Sequence, residues 1–276
     1  MRVRTTNKRT RKDTKTSERL GEEKLNKKGC LAKIIEYNGA NDIIVQFQDD
    51  YKGKVHTSYR HFSSGNIENP YYSSVCNVGM LGIKYLAKVN KKTTKEYDTW
   101  FQMIRRCFDE KEKEKRPSYK NATCCKEWLL FENFYEWLHS QENFDKWYNS
   151  KSNKERWCLD KDILAKGNKV YSPETCCLVP NNVNVLFTNR KNHRGSLPIG
   201  VTKHNNQFMA QCMNPFTDNK NQEYLGTYPT PEEAFHAYKI YKEDIIKQVA
   251  KIEYDNSNIT KECYQAMMNY EVEITD

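Results

Sequence analysis

The sequence predicts an α+β protein of several small domains. These are a small N-terminal β module, a helical region that ends in a two-strand-and-helix finger, and a C-terminal three-stranded antiparallel sheet packed on one helix. Three observations predict this. A chain of 276 residues suits two or three small cores better than one large core. The apolar spacing changes along the chain, from β-branched and aromatic runs before residue 88 to helical spacing from residue 93. Further on, strict alternation returns and is followed by a strong helix start at Thr230.

Composition narrows the partners. The net charge of +9 suits either a solvated surface that keeps the protein soluble or attraction to a polyanion, of which nucleic acid is the commonest. The first fifteen residues carry seven Lys or Arg against Asp13 alone, with only Met1 and Val3 apolar. Such a segment cannot bury enough surface to fold, so residues 1–16 read as a disordered basic arm that touches phosphates without sequence preference. No apolar run is long enough to cross a bilayer, and the N-terminus lacks the apolar core of a secretory signal. The expected protein is soluble, intracellular and not membrane-bound, with its ten cysteines reduced. The adjacent pairs Cys124-Cys125 and Cys176-Cys177 form no C-x-x-C motif and read as small buried apolar groups.

The elements follow in order. Residues 17–88 form the β-rich module: strands over 31–37 and 43–47 flank the turn residues Asn38-Gly39-Ala40-Asn41-Asp42, and a third strand is expected over 55–62. His56 and His61 read as surface or packing residues. From residue 93, Tyr97, Trp100, Phe101, Ile104 and Phe108 make one apolar helix face, with Arg105 and Arg106 off that stripe. A polar stretch then breaks the helix at Pro117, and a second helix is expected from about 123 to 140, with Trp128, Phe131, Phe134, Tyr135 and Leu138 inward. Residues 157–187 read as strand, glycine-containing loop, strand, and a helix opening near Pro180. Residues 188–197 are a polar linker whose Arg190, Lys191 and Arg194 suit a phosphate backbone.

Within residues 198–251, Phe208, Ala210 and Cys212 alternate with Gln207, Met209, Gln211 and Met213, which places the two sets on opposite faces of a strand. Another strand follows at 223–228. Thr230-Pro231-Glu232-Glu233 supplies an N-cap, a proline at the first helical position and a capping box. Three strands with one helix across a single face leave the other face exposed and polar. The tail, residues 252–276, shows a helix signal over 260–270.

Two sets of motifs go further. Trp100, Met103, Arg106 and Cys107, then Cys125, Glu127 and Trp128, then Leu159-Asp160-Lys161-Asp162 and Tyr171-Ser172-Pro173-Glu174 occur in a fixed order. With them, residues 93–187 resemble the HNH nucleases, and more closely the HNH-like proteins encoded by phages of Gram-positive bacteria. The resemblance implies a ββα-metal finger holding one Mg²⁺ or Mn²⁺ on a scissile DNA phosphate. It sets Asp160 at the metal-binding carboxylate, Lys161 where the basic His is usual, Thr175 where the middle Asn is usual, and Asn184 near the last ligand. A lysine is a poor base at neutral pH but neutralises phosphate charge. Asp162, two residues along an expected extended strand, is a substitute ligand or base, so the catalytic candidates are Asp160, Lys161 and Asp162.

The second set is Gly200-Val201, Phe208, Ala210, Tyr224-Leu225-Gly226-Thr227-Tyr228, Glu232-Glu233-Ala234 and Ala237-Tyr238. It resembles the Apetala-type DNA-binding domain of ethylene-response factors, which also occurs fused to phage HNH nucleases. The resemblance implies a sheet lying in the major groove of double-stranded DNA. The residues at its reading positions are Thr202, His204, Gln211, Met213, Gln222 and Tyr224, with Lys203 adjacent; Arg105, Arg106, Arg190, Lys191 and Arg194 are further candidate contacts. Three functions stay open: a phage-type homing endonuclease in a bacterial cytoplasm, a DNA-binding regulator with a decayed nuclease centre, and a structural or host-interaction protein.

Overall fold

A computed structural model describes residues 18–151, 155–188, 195–217 and 222–276. The predicted basic arm, Arg190, Lys191 and Arg194 lie outside the described residues. Contacts divide the chain into two compact units. One runs to Asp109 and adds Lys126–Tyr135; the other is Glu110–Cys125 with Glu136–Asp276. The division runs through the predicted 93–187 region.

In the first unit, β1 (Glu23–Leu25), β2 (Leu31–Gly39), β3 (Asp42–Phe47) and β4 (Lys54–Thr57) form an antiparallel sheet in that order. Alternation buries Ala32 and Ile34 from β2 and Ile43, Val45 and Phe47 from β3. Phe62 and Ile67 complete that core. The third strand is shorter than expected. Ser58 leaves the sheet, its side chain accepts the His61 N–H, and α1 (Tyr59–Ser63) follows. That helical turn is what buries Phe62.

After the small hairpin β5 (Lys88–Val89) and β6 (Lys92–Thr93), α2 (Lys95–Phe108) starts on a Thr94 cap that accepts the Tyr97 N–H. Its inner stripe buries Trp100, Met103, Ile104 and Cys107, and Trp100 Nε1 donates to the Trp128 carbonyl at 2.7 Å. The polar stretch before Pro117 is itself helical, α3 (Glu110–Lys115), held by Lys113–Glu110 and Arg116–Glu112 pairs. The expected helix over 123–140 is corrected. Thr123–Cys124 is a strand (β7), Glu127–Leu129 is a 3₁₀ turn, and only α4 (Phe131–His139) is helical. The backbone around β7 is committed to a ladder: Thr123 donates to the Lys169 carbonyl and Cys125 to the Tyr171 carbonyl. The inward set was nonetheless legible, since Trp128, Phe131, Phe134 and Leu138 are buried.

The second unit holds the finger and the C-terminal elements. After α5 (Phe144–Asn149), β8 (Trp157–Asp160) pairs antiparallel with β10 (Cys177–Pro180), and α6 (Asn181–Leu186) opens at Pro180. Between them, β9 (Val170–Tyr171) runs parallel to β7. Then β11 (Val201–His204), β12 (Gln207–Met213) and β13 (Gln222–Tyr228) make the expected antiparallel sheet, with α7 (Pro231–Asp255) on one face. Thr230 accepts the Glu233 N–H, as the capping box predicts. A last helix, α8 (Lys261–Met268), is capped by Thr260.

These pieces share one core. Ile163, Cys177, Val179 and Val183 from the finger pack with Val201, Ala210 and Cys212 from the sheet, Ile245, Ile246 and Val249 from α7, and Cys263, Met267 and Val272 from the tail. Burying each of the larger aliphatic side chains stabilises the fold by roughly 1.5–3 kcal/mol. Gly200 lets the chain enter β11 against α7: its φ is +75°, and a Cβ there would meet the Tyr238 ring. Among the described residues no helix is long and apolar enough to cross a membrane.

Candidate functional site

The finger loop begins where β8 stops. Oδ1 of Asp160 accepts the backbone N–H of Asp162 at 2.7 Å and of Ile163 at 2.8 Å, which turns the chain sharply. The side chain is buried, and that burial raises its pKa above the usual carboxylate value; the two backbone hydrogen bonds oppose the shift. Lys161 is 4 % exposed. Its Nζ holds both carboxylate oxygens of Asp162 at 2.7 and 2.8 Å, donates to the Asn168 carbonyl at 3.2 Å and lies 5.6 Å from the Tyr171 ring centre. Asn168 returns the contact by donating to the carbonyls of Lys161 and Val170. Thr175 Oγ1 donates to the Val170 carbonyl at 2.8 Å.

The tail closes on this loop. Lys166 Nζ donates to the Glu271 carbonyl at 2.7 Å and pairs with Asp276 at 3.0 Å, and the Phe187 and Tyr270 rings meet edge to face. Burial, with Asp276 and Asp162 nearby, raises the pKa of the Tyr270 hydroxyl. Cys177 is held protonated by its contact with Cys263 and by burial, Cys176 by burial first. All ten cysteines are free thiols; the 176–177 pair is buried as expected, whereas Cys124 and Cys125 are only half-buried.

The predicted catalytic residues thus come together, but as fasteners of the loop. The strand ends at Asp160, so the extended alternation expected to carry Asp162 alongside it does not hold. Asp162 instead pairs with Lys161. Asn184 is half-buried on α6, and no hydrogen bond among the described residues links it to Asp160. The set does not fit a divalent ion as arranged. Oδ1 of Asp160 serves two amides and both carboxylate oxygens of Asp162 are held by Lys161, so among these three residues only Oδ2 of Asp160 is left to offer a cation. Among the described residues no three His, Cys, Asp or Glu side chains converge as a ligand group.

The C-terminal sheet is different. Thr202 pairs with Met209 and Met209 with Thr227; His204 pairs with Gln207, Gln211 with Tyr224 and Met213 with Gln222. Alternation puts Ala210 and Cys212 inward, so these partners share the outer face. A register shift at Ala210/Gln211 decides the outcome for β13. Leu225 is the extra residue, and Gly226 at φ +125° accommodates it. Without the bulge, Tyr224 and Gln222 would turn inward. With it, all six predicted reading residues lie on one face, and Tyr224 and Met213 are 63 % and 51 % exposed.

Three details correct or extend the prediction. Lys203 pairs with Phe208, which has inward parity, so it belongs to the other face, exposed at the strand end. Thr202 Oγ1 is covered and has no hydrogen-bond partner among the described residues. Thr227 joins the face and bonds Tyr224 through its hydroxyl at 2.8 Å; the Gly226 bulge was the only sequence signal for it. Among the described residues, the strand positions on the outer face carry no Asp or Glu. The one acidic residue within the strands, Glu223, is turned to Tyr241 and Asn214, whose hydrogen bonds lower its pKa. On α2, Arg105 is paired with Asp109 at 3.0 Å and Arg106 is half-buried. No protein-family model, no curated protein and no solved structure matches the chain.

Proposed function

We propose that the chain binds double-stranded DNA through the outer face of β11–β13, with the HNH-like finger acting as a rigid support and not as a hydrolytic centre. The observation that carries this reading is the contrast in commitment. Asp160, Lys161 and Asp162 are engaged with the loop they sit in. Gln211, Met213, Gln222 and Tyr224 stand together on a face that carries no acidic residue among the described strand positions. The net charge of +9 supplies long-range attraction to phosphates, and the basic segment that includes Arg190, Lys191 and Arg194 precedes β11 in the chain. On this reading the protein works inside a cell, in a bacterial cytoplasm if it is phage-borne.

The test combines retention and cleavage. The full chain retains duplex DNA at low salt and releases it as salt rises. With Mg²⁺ or Mn²⁺ and supercoiled plasmid it leaves no nicks. Nicking that disappears in Asp160→Ala makes the finger a nuclease and overturns its support role. Failure to retain any duplex at low salt removes the DNA-binding reading and leaves a structural or host-interaction role.

A further inference from the structure

The outer face of the C-terminal sheet has a one-sided chemistry. Gln211 lies opposite Tyr224, and one step along the face Gln222 lies opposite Met213. Met209 sits between Thr202 and Thr227. Among the described residues, none of the outward strand positions is Arg or Lys, since Lys203 has the other parity. We infer that this face selects A·T base pairs in the major groove, with Gln211 and Gln222 as the adenine readers and Met213 and Met209 against thymine methyls. The inference rests on the DNA-binding reading above.

Three physical points carry it. A glutamine amide offers one donor and one acceptor, which matches the N7 acceptor and N6–H₂ donor of adenine, whereas guanine presents two acceptors and is best read by Arg or Lys. Thymine alone carries a methyl group in the major groove, and methionine side chains, here the exposed Met213 and the half-buried Met209, are apolar and adaptable enough to meet it. A major groove about 12 Å wide admits a two-stranded β-ribbon, and Gln211 and Gln222 lie on the neighbouring strands β12 and β13, about 4.8 Å apart. The absence of carboxylates lets the face approach phosphates without repulsion.

The experiment is selection of sites by the full chain from a random duplex library at fixed salt. The enriched core contains consecutive A·T pairs. Changing one of them to G·C lowers affinity about tenfold, and placing 7-deazaadenine there, which removes the N7 acceptor, does the same. Gln211→Arg moves the preference at one position towards G·C, with the melting midpoint unchanged. A G·C core overturns the inference, as does a core that Gln211→Ala and Gln222→Ala both leave unchanged while duplex is still retained. Loss of all retention at low salt is a different result, since it removes the DNA-binding reading itself.

Discussion

The finger and the C-terminal sheet invert their sequence signals. The finger has the charged motif Leu159-Asp160-Lys161-Asp162, which reads as chemistry, yet its polar atoms hold the loop together. The sheet strands have almost no charge, and among the described residues their outward side chains have few partners beyond the bond between Tyr224 and Thr227. A charged motif therefore reports that polar groups are needed, not what they are needed for. A ligand site must keep its donors and acceptors available, and of these two regions, among the described residues, the more available set is the neutral one.

The largest effect that tests this contrast is expected at Asp160. Asp160→Ala leaves the Asp162 and Ile163 amides without their acceptor, the latter buried, and lowers the stability of the second unit by roughly 2–4 kcal/mol in chemical unfolding. Asp160→Asn keeps an acceptor oxygen and removes a buried charge. Burial raises the folded pKa of Asp160, so the folded state binds that proton more tightly than the unfolded chain does. Its ionisation therefore opposes the fold as pH rises from the ordinary carboxylate value to the raised one. Asp160→Asn is then at least as stable as the parent at pH 7, and any advantage vanishes below about pH 4. Equal, large losses in both variants at neutral pH would show that the charge itself matters.

The next effect is at the bulge. Gly226→Ala places a Cβ at φ +125°, 2.9 Å from the Tyr228 hydroxyl oxygen. A loss of about 1–3 kcal/mol follows, and DNA retention falls with it because Tyr224 and Gln222 lose their outward register. A variant of full stability and full retention breaks the account of the face. Smaller still are the face residues: Gln211→Ala changes stability by less than about 0.5 kcal/mol, while affinity for the selected site drops about tenfold in a titration. A stability loss as large as that of Asp160→Ala would erase the difference between the two regions.

The smallest expected effect is none. Lys161→His installs the imidazole that the HNH resemblance leads one to expect. Because Asp160 is still bonded to two amides, plasmid incubated with Mg²⁺ stays supercoiled. Nicking by this variant would show that the missing base alone silences the finger.

Local chemistry made much of the fold legible in the sequence. Alternation marked Ala210 and Cys212 as inward, the capping box placed the start of α7 at Thr230, and the aromatic spacing picked out Trp100, Trp128 and Phe131 as core. Short-range signals misled where a long-range ladder took over. Residues 123–125 have helical neighbours but pair with β9, more than forty residues away. Ser58 ended a strand that composition alone extended to Phe62.

By itself, then, the sequence determined the strands and helix of the C-terminal sheet, many of the inward residues and the candidate reading residues, because periodicity and capping act over a few residues. Tertiary structure alone decided three things. It merged the finger, the sheet and the tail into one core, since Ile163, Val201 and Met267 meet only when distant segments pack. It engaged Asp160 and Lys161 in loop bonds, since a carboxylate or ammonium bonds whichever donors or acceptors the fold brings nearest. It also turned Tyr224 outward, since one extra residue at Leu225 reverses the parity of everything before it in β13.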